Sequence, residues 1–392
     1  MARIVVCGYM VRHPVAGNLL AYFHYVLGFC RLGHEVAYLE ESGWPYSCYD
    51  PVSRDWQDFP HTGLRIVRQL MNEHGLHVPV CYVNRDTGEM DGAGRDDLKQ
   101  MLREADLLLN VGGVCWLPEF GLCRRRALID LDPLFTQVEH FGARVLPDYH
   151  THFSYGANIG RPGCTIPTRG VCWLPTVPPV VPELWRKRDD PPHPPLSPRG
   201  GEGRVRGTGE AFTTVANWSA YGAVTYEGEH YGQKDEEFLR LLDLPRRTPQ
   251  QLELALAGGH EVRERLRAAG WSVRDAAEVS DCVASYVAYI SGSRGEFSAA
   301  KHAYVKTRSG WFSDRSVCYL AAGLPVILQD TGFRDWLPVG RGVLAFSSME
   351  EAVASIAKVN ADYPAHCRAA RELAERVFDY RTVLPRLLER SL

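Results

Sequence analysis

The chemistry most legible in this 392-residue chain lies around Ser313 and Arg315. Ser313 stands where a helix N-cap belongs, just after Gly310, Trp311 and Phe312. The spacing of Val317, Leu320 and Ala321 predicts a helix over 313–322, stopped by Gly323 and Pro325. Val326, Ile327 and Leu328 then predict a short buried parallel strand. A helix N-terminus carries partial positive charge and free N–H groups, and Arg315 adds a full charge to its first turn. Such a terminus is a ready-made phosphate site. Arg294, Lys301, Lys306 and Arg308 crowd the same stretch. They read either as charge compensation for an anion or as a solvated basic face.

A second group is acidic. Ala127 to Ile129 predicts a strand, and Asp130 and Asp132 follow it. Carboxylates at the C-terminal end of a parallel strand stand over the ligand crevice of a doubly wound sheet. The alternative is a cap for a helix starting at Pro133. His150 and His152 alternate in an extended segment, so both can face one way. With Asp148 they read as metal ligands, as a polar wall or as plain structure, and the sequence fixes no further metal ligand. The 11 Cys are scattered, odd in number and without zinc-site spacing, which predicts buried reduced thiols.

Two domains must position these groups, because 392 residues exceed one core. Hydrophobic content of 45% and charged content of 23% describe a soluble globular chain. A net charge of −3 argues against nucleic acid or an anionic membrane surface as partner. No apolar run approaches the ~20 residues of a membrane span. Met1-Ala2-Arg3 leads straight into a strand, so no leader and a cytoplasmic location are expected.

In chain order, Ile4–Cys7 predicts a strand, 9–17 a polar loop, 18–32 a helix and Glu35–Leu39 a strand. This is a βαβ opening without the Gly-x-Gly-x-x-Gly of dinucleotide sites. Trp44, Tyr46, Tyr49 and Trp56 follow, placed either to stack on a sugar or to cover the core edge. Helices are expected at 62–74 and 96–103, and strands at 79–83 and 105–111. Pro175, Pro178, Pro179 and Pro182 stiffen the exit from this half. Residues 186–209 hold Pro, Gly and charge with no apolar pattern, which predicts disorder. The second half should alternate again: strand 213–216, a helix to about 242, strand 252–256, helix 262–269, helix 281–286, strand 287–290 and a polar loop to Glu296.

The segment Tyr-Leu-Ala-Ala-Gly-Leu-Pro-Val at 319–326 resembles the E-A-M-A-x-G-x-P-V segment of GT-B glycosyltransferases. Gly342 to Phe346 followed by Glu350 and Glu351 resembles the end of their second domain, and Leu32-Gly-His-Glu-Val36 a companion of their first helix. The resemblance implies two Rossmann-like domains facing across a cleft. It places an acceptor-side domain at 1–185, an insert at 186–211, a donor-binding domain at 212–378 and a final helix, 379–392, crossing back to the first domain.

It also implies transfer of a sugar from a nucleotide-diphosphate sugar to a small-molecule or glycan acceptor, with no metal and no cofactor beyond that co-substrate. The donor would be held by Lys234, Glu296, Gly310, Trp311, Phe312, Ser313, Asp314 and Arg315. The acceptor side would include His13, Gly17 and Asn18, and Asp132, Asp130 and His152 are the candidate catalytic residues. The D-x-D of Asp130 and Asp132 also matches the metal motif of the GT-A fold, but that single mixed domain would not contain the second half. The two Glu that grip the donor in GT-B enzymes fall on Gly310 and Cys318, leaving Glu296 and Asp314 as nearby carboxylates. Their loss keeps two alternatives in play, a non-catalytic nucleotide-sugar-binding scaffold and a GT-B sugar epimerase.

Overall fold

The computed structural model describes residues 1–141, 144, 146–185 and 209–392. The insert expected at 186–211 falls almost wholly outside the described residues. At its end the Gly209 N–H donates to the Gly292 carbonyl, 2.7 Å, and Ala211 is buried. The chain forms two compact units: Met1–Gly160 with Pro167–Val181 and Asp379–Leu392, and Arg161–Ile166 with Pro182–Phe378.

In the first unit the strands are β1 (Arg3–Cys7), β2 (Glu35–Glu41), β3 (Cys48–Asp50), β4 (Asp55–Gln57), β5 (Val80–Val83), β6 (Met90–Asp91), β7 (Leu107–Val111), β8 (Arg126–Asp130), β9 (Thr151–Ser154) and β10 (Trp173–Pro175). Its helices are α1 (Ala16–Arg31), α2 (His61–Glu73) and α3 (Arg95–Glu104). Eight strands pair in the order β10-β9-β8-β7-β1-β2-β5-β6. All these pairs are parallel except β5 with β6. β1, β7 and β8 are apolar and buried over Ile4–Cys7, Leu107–Leu109 and Ala127–Ile129, as expected of central strands in a parallel sheet. Strand order reverses between β1 and β7, so the ligand crevice of this sheet lies beyond Cys7 and Val111.

The second unit contains β11 (Phe212–Asn217), β12 (Val224–Tyr226), β13 (Glu229–Tyr231), β14 (Leu252–Ala257), β15 (Ser272–Asp275), β16 (Gly295–Ser298), β17 (Val326–Gln329) and β18 (Val343–Phe346). Its helices are α4 (Lys234–Arg240), α5 (Arg263–Ala268), α6 (Ala277–Ser280), α7 (Val283–Ser291), α8 (His302–Lys306), α9 (Asp314–Ala321), α10 (Met349–Ala361) and α11 (Tyr363–Leu373). The main sheet runs β15-β14-β11-β16-β17-β18. Every pair in it is parallel. Counted among the strands of this sheet alone, the order is third, second, first, fourth, fifth, sixth, the doubly wound arrangement, and it reverses between β11 and β16. The last helix, α12 (Tyr380–Ser391), belongs to the first unit and packs on α1. Gly28 permits the approach, since a Cβ there would sit 2.6 Å from the Leu384 side chain.

One region departs from the sequence reading. The strand expected at 287–290 is helical, part of α7, and the last two residues of the loop expected to run to Glu296 begin strand β16. Tyr286, Tyr289 and Ile290 are buried at helical spacing, the Cys282 sulfur caps the Ser285 N–H, and Gly292 ends the helix. A short apolar run cannot by itself tell a strand from a buried helix. β16 was hidden by Glu296, a carboxylate that is fully buried. The first helix also starts earlier than expected, at Ala16, so Gly17 and Asn18 lie in its first turn.

Candidate functional site

In the second unit the residues converge at the reversal between β11 and β16. Ser298 ends β16, and α9 starts next to it. Arg315, in the first turn of α9, reaches back over both strands. Its Nε donates to Glu296 Oε1 at 2.6 Å, one terminal nitrogen to the Val215 carbonyl at 2.9 Å, and the other to Ser298 Oγ at 2.9 Å. The Glu296 carboxylate raises the Arg315 pKa against the opposing pull of burial, so the guanidinium stays charged. Glu296 therefore acts as the buried partner of Arg315, and its second oxygen has no hydrogen bond. Its Oε1 is committed to Arg315, so a donor contact from Glu296 would fall to Oε2 alone.

Above this pair stand groups that are not committed. The N–H groups of Ser313, Asp314, Arg315 and Ser316 have no carbonyl partner among the described residues, as the first turn of a helix dictates. The buried Ser316 hydroxyl also has none. Lys234, at the start of α4, is half-buried. Its ammonium makes no hydrogen bond or ion pair with a described residue. Burial lowers its pKa well below the ordinary lysine value, and the Arg315 and Lys301 charges lower it further, against the raising effect of Glu296 and Asp314. A desolvated ammonium among cations gains most from an incoming anion. Lys301 is placed by Tyr221, whose hydroxyl lies 2.5 Å from Nζ and whose ring lies under it. A cavity of about 20 Å³ beside α9 is lined by Ser298, Ser313, Arg315, Ser316, Gln329 and Thr331 among others.

The other expected donor residues divide. Gly310 adopts a left-handed φ of 76°, and its N–H is tied to the Thr331 carbonyl at 2.8 Å. Trp311 is half-buried and lies 4.7 Å from the Tyr304 ring. Phe312 is core, stacked on Phe378 and edge-on to Phe333, so its ring supports the loop and forms part of the wall of the small cavity beside α9. Of the basic stretch, Arg294 bonds Asn360, Lys306 pairs with Glu229 and Arg308 with Asp335. These three are committed elsewhere.

In the first unit the loop after β1 is organised by a fully buried ion pair that sequence reasoning missed. Glu40 accepts from the N–H groups of Val11 and Arg12, from Arg12 Nε at 3.2 Å and from the Tyr38 hydroxyl. Arg12 also donates to the Val114 carbonyl at 2.9 Å. Asn18 donates to the carbonyls of Tyr9 and His13, so it shapes the loop from inside. His13 lies flat against Trp56, 5.7 Å away with an interplanar angle of 5°, and burial pushes its pKa down to about 4. Gly17 is half-buried beside it in α1.

Asp130 and His152 are corrected as catalytic candidates. Asp130 is fully buried and accepts from Ser154, Thr136, Gln137 and the Asp132 N–H. Burial raises its pKa and those four hydrogen bonds oppose the rise. His152 is buried on β9, with Nε2 2.7 Å from the Leu146 carbonyl and the Trp173 ring edge-on at 5.4 Å. His150 is exposed and accepts from the Arg126 N–H, so the two histidines form no joint site. Asp132 is the half-buried carboxylate just past the strand end.

No signal announced Glu40, because a carboxylate at a strand end reads as solvent-facing. The strand-end hydroxyl of Ser298 was equally silent.

No protein-family model matches the sequence, and no curated protein matches it either. Solved structures do. AviGT4, a glycosyltransferase involved in avilamycin A biosynthesis, aligns over 100% of this chain and 97% of its own with a TM-score of 0.54 and 13% identity. HepE of Anabaena, in complex with UDP and glucose, aligns over 100% and 99% with a TM-score of 0.58 and 12% identity. An α-glucosyltransferase in complex with UDP-glucose and DNA containing an abasic site aligns over 99% and 98% with a TM-score of 0.56 and 10% identity. The chain has the GT-B glycosyltransferase fold. Among the described residues, no helix is long and apolar enough to cross a membrane.

Proposed function

We propose that this protein is a glycosyltransferase that takes a sugar from a nucleoside-diphosphate sugar held in the second unit. The observation that carries the reading is the unpaired Lys234 ammonium beside the open N–H groups of α9. Positive charge without an internal partner, at the reversal point of a doubly wound sheet, matches the diphosphate of such a donor. Two of the structural neighbours bind UDP or UDP-glucose, so uridine diphosphate is the first nucleotide to test. The diphosphate would lie on α9, with Lys234 and Lys301 neutralising the leaving group and no metal required for that charge. Arg315 keeps Glu296 buried and lends its charge to the same field. Asp132 is the carboxylate proposed to act as base on an acceptor hydroxyl.

A second reading has an observation of its own. The two positions that carry Glu in GT-B enzymes are Gly310 and Cys318 here, which favours a protein that binds the nucleotide sugar without turning it over. A panel of nucleotide sugars, assayed for free nucleoside diphosphate with and without acceptors, separates the two. Release from one member of the panel supports transfer. Binding without any release supports the scaffold.

A further inference from the structure

Next along the chain from Lys234 and Lys301, three ligating side chains of the second unit meet without a role in that reading. His230 on β13, Glu236 on α4 and His302 at the start of α8 place one ligand atom each within 4.8 Å of one another. We propose that they form a site for a divalent transition metal of the zinc type, which fastens the β12–β13 hairpin to α4 and α8.

Two observations carry this, and one sets its cost. The Glu236 carboxylate lies between the two imidazoles, with Oε1 2.6 Å from His230 Nε2 and Oε2 3.6 Å from His302 Nδ1. Ligand atoms on a tetrahedral zinc with bonds of about 2.0–2.1 Å stand roughly 3.3 Å apart, so small side-chain shifts complete the shell. The tautomer of His302 is also fixed. The Gly232 N–H donates to Nδ1 at 3.1 Å, and a backbone amide can only donate, so Nδ1 holds a lone pair. An ion on Nδ1 would take this lone pair in place of the Gly232 N–H, so binding there costs that hydrogen bond. Finally, Gly232 makes room for the carboxylate, since a Cβ there would overlap the Glu236 head group.

The neighbouring cations do not oppose the ion, and Arg240 is paired with Glu237 at 2.8 Å. Lys306 is already balanced by Glu229 at 2.7 Å and by the His230 carbonyl at 2.9 Å. Two His and one Glu are a zinc donor set, and three protein ligands leave a fourth position for water. When the ion binds, neutral His230 moves its proton from Nε2 to Nδ1 and no net proton is lost.

The test uses the full chain after chelator treatment and dialysis. Calorimetric titration with zinc chloride should give one saturable site per chain, and cobalt(II) should give the visible absorption of a tetrahedral ion. His230→Ala and Glu236→Gln should each weaken zinc binding by at least about 10-fold, and His260→Ala, outside the cluster, should not. His302→Ala should do the same, but His302 also supports Gly232. If that variant fails to fold, the exposed His230→Ala decides the matter. Equal zinc affinity in the wild type and His230→Ala, or no saturable binding in the wild type, overturns the proposal.

Discussion

The two sheets place a buried Arg–Glu pair near the same topological point and put it to different use. In the first unit, Arg12 and Glu40 saturate each other and the surrounding loop, leaving the pair nothing to offer a ligand. In the second, Glu296 is equally buried and Arg315 nearly so, but the pair supports a surface where Lys234, the Ser316 hydroxyl and the helix N–H groups remain unmatched among the described residues. A buried ion pair is therefore weak evidence for a site. The informative feature is the polar group beside it that the fold leaves without a partner.

The comparison breaks most visibly if either pair is cut. Arg12→Ala and Arg315→Ala each strand a buried carboxylate, and each should cost about 3–5 kcal/mol in urea unfolding. A loss below ~1 kcal/mol for either would mean that its carboxylate is solvated or protonated. Arg315→Met combined with Glu296→Leu should recover much of the loss, because the remaining partners are one carbonyl and one hydroxyl. The matching double change at Arg12 and Glu40 should recover less, since it unpairs the Val11 and Arg12 N–H groups.

Asp132→Asn sharpens the chemical side. As the acceptor base, its loss should lower turnover roughly 10²–10⁴-fold while nucleotide affinity holds. A parallel fall in both, measured by kinetics and titration, would make Asp132 a structural residue.

The doubly wound pattern was readable because buried parallel strands are continuous apolar runs and glycines punctuate the helices. Ile4–Cys7, 105–111 and Val326–Leu328 announced themselves that way. The site was legible only in part. Ser313 and Arg315 stood at a predicted helix start, which local spacing reveals. Glu296 was mistaken for a loop residue because its burial depends on Arg315, which is 19 residues away in sequence. The packing of Phe312 on Phe378 was not legible because the two are remote in the chain. Asp130 and His152 had the right chemistry, but partners at Ser154, Gln137 and Leu146 consume it. Long-range pairing decides which polar groups are free, and residue spacing does not encode it.

Acid should expose a further asymmetry in the first unit. Burial lowers the His24 pKa to about 3, and its Nδ1 accepts from the Val181 N–H. The folded chain thus refuses a proton that the unfolded chain accepts below about 6.5. This contribution to stability is intact above 6.5 and declines as pH falls towards 3. At 1.36 kcal/mol per unit, about 2 kcal/mol should be lost by pH 5. His24→Gln should flatten that slope in denaturant titrations, and an unchanged slope would assign the acid loss to other groups.

The smallest effect concerns Ser316. Its hydroxyl is buried without a partner. Ser316→Ala should leave thermal stability unchanged or raise it by up to about 1 kcal/mol. A clear loss of stability would show that the hydroxyl is satisfied in solution.

The central claim is that Lys234 waits for a diphosphate, and calorimetric titration of UDP and uridine tests it directly. A charge-assisted contact of about 1.5–3 kcal/mol predicts that Lys234→Ala weakens UDP binding roughly 10- to 100-fold, with little change for uridine and no loss of stability. UDP binding should also weaken as pH rises past the depressed pKa of the free lysine. Equal UDP affinity in wild type and Lys234→Ala, or equal losses for UDP and uridine, would contradict the account.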